Sequence, residues 1–430
     1  MSINKELIQF IRESGTAFQA VATVENMLKK EGFTSLMESE AWELKKGGKY
    51  YTKRNDSSLI AFAVPEDNFK GFMMSAAHAD NPCYKVKENE ELEGSVYIRL
   101  STEEYGGSIH STWMDRPLST AGRLIVRTKS GFKTVLVDVK EPIAMIPNLC
   151  IHMNRDVNKS FEYNNAVDMI PLYRDADGQV PAFREMVAAK AGVKAEDIIS
   201  TDMYLYNPQE GIEWGDYLSS PRLDDLQSAF GLVKGFIESS AEKAINIYCL
   251  FDNEEVGSTT KQGAASTFLM DVLDRICSSF GYSKDEKIRM LANSFMISCD
   301  NAHAEHPNHP EIRDPNHSPR MNGGIVIKYN AAQHYTTDAV SASVFKLVCE
   351  KAGVPYQMFA NRADQRGGGT LGNISTSQVS VNTVDIGIAQ LAMHSSFETS
   401  GAKDTEYLVN AMKTYYGSAL EVTEDGVELL

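Results

Sequence analysis

Gly71-Phe72-Met73-Met74-Ser75-Ala76-Ala77-His78-Ala79-Asp80-Asn81-Pro82 sets an unbroken, mainly apolar run directly against an imidazole, a carboxylate and a proline. A short run without alternation predicts a strand covered on both faces, as in parallel sheets. Its polar end then marks the edge at which open α/β sheets bind ligands. The same pattern recurs three times. Residues 244–251 run into Asp252-Asn253-Glu254-Glu255-Val256-Gly257-Ser258, residues 294–299 into Asp300-Asn301-Ala302-His303-Ala304-Glu305-His306, and residues 384–391 into Ala392-Met393-His394-Ser395-Ser396.

Around these strands lie stripes at helical spacing. Leu7, Phe10, Ile11, Ala20, Val21, Val24, Met27 and Leu28 predict helices before Gly32, and Leu226, Phe230, Val233 and Ile237 predict another. Further helices are expected at 341–349 and 406–416, with an additional strand at 59–64. Between about residues 84 and 217 the texture changes to alternating, hairpin-like segments, clearest at 123–128 and 132–139 across Lys129-Ser130-Gly131, with a helix within 181–191. The expectation is an α/β protein, a mixed sheet flanked by helices. Its catalytic domain is discontinuous, residues 1–85 and 218–430, and a mainly β domain of residues 86–217 is inserted into it.

Composition narrows the function. The chain has 430 residues and a formal net charge of -16, which disfavours nucleic acid and anionic membranes as partners because both call for a basic face. Six cysteines are scattered without the close pairs of a zinc ribbon or redox motif, as expected of free thiols in a reducing compartment. The first residues, Met1-Ser2-Ile3-Asn4-Lys5-Glu6-Leu7, do not read as a signal peptide, and no stretch has the roughly 20 apolar residues that span a bilayer. A soluble, cytoplasmic protein is expected.

The strand ends carry the chemistry, and each has a plainer reading. His78 alone is more often a structural histidine, but a metal-bound imidazole needs its second nitrogen held, and Asp80 stands two residues on. Asp224 and Asp225, in Ser220-Pro221-Arg222-Leu223-Asp224-Asp225, have the look of acidic residues in a helix's first turn. Glu254 and Glu255 on extended backbone would point apart, one toward a metal and one toward water, or they would form an exposed acidic loop. His394 by itself is most simply a core or surface histidine. Taken together, two histidines, several carboxylates and a spare glutamate form the inventory of a two-metal hydrolase.

The ordered set His78-Ala-Asp80, Pro221-Arg-Leu-Asp224-Asp, Asp252-Asn-Glu254-Glu255-Val-Gly-Ser, Ser298-Cys-Asp300-Asn-Ala-His303-Ala and Leu391-Ala-Met-His394-Ser resembles the aspartyl aminopeptidase family of cocatalytic zinc peptidases. The resemblance runs nearly the length of the chain. It implies that His78 and Asp300 bind one divalent cation, Glu255 and His394 a second, and Asp224 both. Glu254 would be the general base, with Asp80 orienting His78. Three carboxylates and two neutral imidazoles then set three negative charges against the four positive charges of two divalent cations. The implied metal is zinc, although such mixed ligands also accept manganese or cobalt. The implied substrates are peptides with a free N-terminus, and the implied assembly is a homo-oligomer, a tetrahedral dodecamer built through the inserted domain.

On the substrate side the resemblance points to Lys328, Tyr335 and His110. His110, in Tyr105-Gly-Gly-Ser-Ile-His110-Ser-Thr-Trp113, stands one place earlier than the family's histidine. His334 and Phe397 stand where the family carries arginine, so neutral N-terminal residues compete with Asp and Glu as preferred substrates. A carboxypeptidase, an amide deacylase or a noncatalytic metal-stabilised shell protein are the alternatives on the same residues.

Overall fold

The computed structural model describes residues 2–430. Its nine-stranded sheet is mixed. Four neighbouring strands, Ile245–Phe251, Phe72–His78, Phe295–Cys299 and Asn382–Gly387, are parallel and occupy the centre. Ser58–Ala63 pairs antiparallel on one flank, and Ile325–Tyr329 does so on the other. Register aligns the central carboxyl ends: Phe251 lies opposite His78, and Ser298 opposite Ala76.

Both faces of this sheet are covered, which is why its strands do not alternate. Met73, Ala77, Tyr248 and Leu250 face one core with the helices Leu223–Ile237 and Asp404–Tyr416. Phe72, Met74, Ala76, Ile247 and Cys249 face another with the helix Phe268–Ser279. A six-stranded antiparallel sheet, drawn from Cys83–Leu92 through Ile198–Tyr206, has its own core with the helix Phe183–Ala191. A five-stranded sheet of short strands lies beside the carboxyl ends, including Tyr217–Ser220, Ala389–Leu391 and Glu398–Gly401. Among the described residues no helix is long and apolar enough to cross a membrane.

Three local expectations change. The run 384–391 is two strands, Asn382–Gly387 and Ala389–Leu391, because the chain leaves one sheet for another beside the Asp300 carbonyl. A Cβ at Gly387 would overlap that carbonyl oxygen, so only glycine permits the crossing. Glu254–Val256 is a short 3-10 turn entered through Asn253 at φ +64, not extended backbone. Asp224 and Asp225 depart from helical geometry, with ψ values of 106 and 21, so they are not simply first-turn acids of the following helix.

The helices Leu223–Ile237 and Asp404–Tyr416 approach closely because glycines face bulky partners, Gly231 against Leu408 and Gly235 against Met412. Gly235→Ala is informative because two effects oppose. On an open helix the alanine would gain about 1 kcal/mol of helix propensity. Here its Cβ would overlap the Met412 Cβ, which is not the free end of a flexible chain. The clash should win, lowering stability by about 1–3 kcal/mol in chemical denaturation. An unchanged or raised midpoint would show that the helices can separate without cost.

Candidate metal centre

The parallel strands deliver their side chains to one place. His78 ends its strand, Glu254 and Glu255 follow Phe251, and Asp300 follows Cys299. Asp224 arrives from the start of the helix Leu223–Ile237, and His394 from the turn between Ala389–Leu391 and Glu398–Gly401. Ligand atoms of His78, Asp224, Asp225 and Asp300 lie within 4.8 Å of one another, and a second group meeting the same distance is Asp224, Glu255 and His394.

Asp224 belongs to both groups. His78 Nε2 is 3.4 Å from its Oδ1, while His394 Nε2 is 3.5 Å from its Oδ2 and 3.4 Å from Glu255 Oε2. One carboxylate thus faces a different imidazole with each oxygen. Asp224 Oδ1, Asp225 Oδ1 and Glu255 Oε1 are buried without a hydrogen-bond partner. Buried carboxylate oxygens with no donor are costly, and divalent cations would satisfy them. The donor set of imidazole nitrogens and carboxylate oxygens also suits zinc.

Electrostatics agree. Burial first, then the neighbouring carboxylates of Asp300, Asp80 and Asp224, push the Glu254 carboxyl up to about 8 against the opposing pull of His78. Burial and Asp224 drive Glu255 well above the usual carboxylate range, and burial raises Asp300 too. Burial works against a charged His394, but the Asp224 hydrogen bond, Glu255 and the Gly107 carbonyl outweigh it and hold the imidazole at about 10. So many carboxylates compressed together repel one another, a conflict that bound cations would relieve.

Support around these residues is partly as expected. His78 Nδ1 is 3.0 Å from the Asp80 backbone oxygen and 3.5 Å from its carboxylate Oδ1. With Nδ1 as donor, Nε2 turns its lone pair toward Asp224. The Asp80 carboxylate is engaged chiefly elsewhere, accepting the amides of Glu254 and Glu255 at 3.1 Å each and the Tyr105 hydroxyl at 2.7 Å. The sequence reading did not single out Glu398, which is buried and accepts the backbone amides of Asp224 at 3.0 Å and His394 at 2.8 Å. It also missed a role for Asp225, which accepts the His78 amide at 3.3 Å, and for Gly107, whose carbonyl lies 2.8 Å from His394 Nδ1. Glu398 and Gly107 act through backbone atoms or on backbone atoms, so residue type gave little signal. Asp225 was hidden by its neighbour.

A cavity of about 270 Å³ opens on this cluster. His78, Asp224, Glu254, Glu255, Asp300 and His394 line it together with His303, Lys328, Tyr335, Phe359 and Met393. Lys328 is 3% exposed, donates to the Asn301 carbonyl at 2.9 Å, sits 3.7 Å from Asp300 Oδ2 and lies over the Tyr335 ring. His334 and Phe397 are not in the lining. Neither is His110, whose ring is near Glu104, Tyr84 and Tyr163.

Comparison with known proteins places this geometry. The pattern of the family described as "Aminopeptidase I zinc metalloprotease (M18)" matches residues 10–416. A "Probable M18 family aminopeptidase 2" of Clostridium acetobutylicum is 45% identical over 423 residues, covering 96% of this chain and 98% of that protein. Among solved structures, a chain of the cryo-EM structure of the Ape4 and Nbr1 complex superposes with a TM-score of 0.93 at 31% identity, covering 96% of this chain and 85% of that one. The S. cerevesiae mApe1 dodecamer superposes with a TM-score of 0.84 at 29% identity, covering 96% of each chain. The chain belongs to the M18 family of zinc aminopeptidases and is a metal-dependent peptide hydrolase.

Proposed function

We propose that two divalent cations, zinc in the first instance, are held by His78, Asp224, Glu255, Asp300 and His394, with Asp224 shared. The observation that carries this is the Asp224 carboxylate, which turns one oxygen to His78 and the other to His394. Cations bound there would make water more acidic and polarise the scissile carbonyl. Glu254, which lines the cavity but belongs to neither ligand group, would take the proton from water and return it to the leaving amine. Asp80 would fix the imidazole of His78 and the turn carrying both glutamates.

Neutral N-terminal residues are accepted alongside acidic ones in this reading. Among the described residues, Lys328 is the one lysine lining the cavity, and no arginine lines it. Its ammonium is already committed to Asn301 and Asp300. His303 is open to solvent on one side but is held below its ordinary value, first by desolvation against the cavity wall and then by Lys328. Phe359, Tyr335 and Met393 supply apolar wall. His110 would meet substrate only from a neighbouring copy.

The assembly in this reading is a homo-oligomer, a tetrahedral dodecamer; the dodecameric relative and apolar side chains left exposed around the six-stranded sheet, among them Phe132, Leu149, Met153 and Val167, support an oligomer. Free thiols at all six cysteines, five of them buried, support a cytoplasmic location.

Glu254→Gln should keep metal content and assembly while lowering kcat by about 10²–10⁴-fold, the usual contribution of a general base. A rate equal to wild type would remove Glu254 from proton transfer. Chelation should abolish hydrolysis and added zinc restore it; activity surviving complete metal removal would end the metal-centre reading. With aminoacyl fluorogenic substrates, kcat/KM for Leu, Met and Ala should match or exceed that for Asp and Glu. An acidic preference above about tenfold, or 1.4 kcal/mol, would mean that charge pairing is available to the substrate after all.

A further inference from the structure

The loop after the strand Tyr97–Tyr105 comes from the segment read as an inserted domain, yet it reaches the supports of both ligand groups. On one side the Tyr105 hydroxyl donates to Asp80 Oδ2 at 2.7 Å and accepts from Asn253 Nδ2 at 2.9 Å. On the other the Gly107 carbonyl meets His394 Nδ1 at 2.8 Å, and the Ile109 amide donates to the His394 carbonyl at 3.0 Å. His394 has φ +67, a conformation that needs such support. Gly106 lets the loop close: its φ is +72, and a Cβ there would stand 3.2 Å from the Glu255 Cβ.

We propose that Tyr105 is a positioning residue of the metal centre, acting through Asp80. The Asp80 carboxylate has two oxygens and three close donors: the amides of Glu254 and Glu255 and the Tyr105 hydroxyl. The two amides fix the turn that presents Glu255 to one cation and Glu254 to the cavity. Tyr105 is the side-chain donor that keeps the acceptor itself from rotating away. Its hydroxyl is part-buried beside Asp80, and its ring packs edge-on against Tyr204 at 5.7 Å. Removing the hydroxyl alone would therefore leave the packing and loosen the acceptor. Groups that orient ligands in this way typically contribute about 10–100-fold in metal affinity.

The proposal rests on the site being a metal centre, and the test separates the two claims. Zinc affinity is measured by competition with a chromophoric chelator for wild type, Tyr105→Phe, Tyr204→Phe, Asp80→Asn and the double variant Tyr105→Phe/Asp80→Asn. Tyr105→Phe should bind zinc about 10–100-fold more weakly, whereas Tyr204→Phe, which loses a neighbouring hydroxyl that makes no hydrogen bond to Asp80, should stay within about twofold of wild type. In the Asp80→Asn background the Tyr105 substitution should add nothing. The metal-free melting temperature of Tyr105→Phe should fall by no more than the few degrees that a lost hydrogen bond costs, because the role is local to the ligands. Wild-type zinc affinity in Tyr105→Phe, equal losses in both tyrosine variants, an undiminished loss in the Asp80→Asn background, or loss of the cooperative metal-free melting transition would each overturn the assignment. Wild type that binds no zinc would instead overturn the metal-centre reading.

Discussion

Mutual repulsion among buried carboxylates is the constraint on which this structure turns. Asp224, Asp225 and Asp300 are almost entirely shielded from solvent, and the Glu255 side chain is nearly so. Nothing in the surrounding protein supplies enough positive charge: Lys328 stands beside Asp300, and the two imidazoles stand on Asp224. Isolated buried charges cost far more than a fold's net stability can absorb, a cost that bound cations would relieve. The protein's part is to hold the ligands close while they repel.

It does so with backbone amides. Asp80 gathers the amides of Glu254 and Glu255, and Glu398 gathers those of Asp224 and His394. Each carboxylate fixes main chain next to a ligand and so sets where that side chain starts. The sheet beneath supplies rigidity, since its central strands are buried on both faces and end in register. Catalytic and binding groups placed on such elements keep tighter geometry than groups on free loops.

Much of this was legible in the sequence because burial on both faces leaves a plain trace. Residues 71–77 and 245–250 had to be covered strands, and a histidine or carboxylate just beyond such a strand had to sit at its carboxyl end. That reasoning, with the ordered resemblance, pointed to the side chains that the structure brings together, Asp225 aside. What stayed hidden was whatever depends on contact between distant segments. Tyr105 is 25 positions from Asp80, and Gly107 is 287 from His394. Nothing in their local patterns announces the partner. The turn at Glu254–Val256 was also hidden, since Asn253 adopts a left-handed backbone that no periodicity predicts. The break after Gly387 was masked by the apolar run continuing through it.

The seam between the helices Leu223–Ile237 and Asp404–Tyr416 fits like a key in its ward, with hydrogen atoms at Gly231 and Gly235 taking the room that Leu408 and Met412 leave. Neither side can be recut alone. Bulk added at 235 meets the Met412 Cβ and the backbone beside it, which a shorter side chain at 412 would leave in place, so position 235 stays glycine unless the helices move apart. The helix that begins beside Asp224 thereby inherits its placement from a residue almost at the far end of the chain.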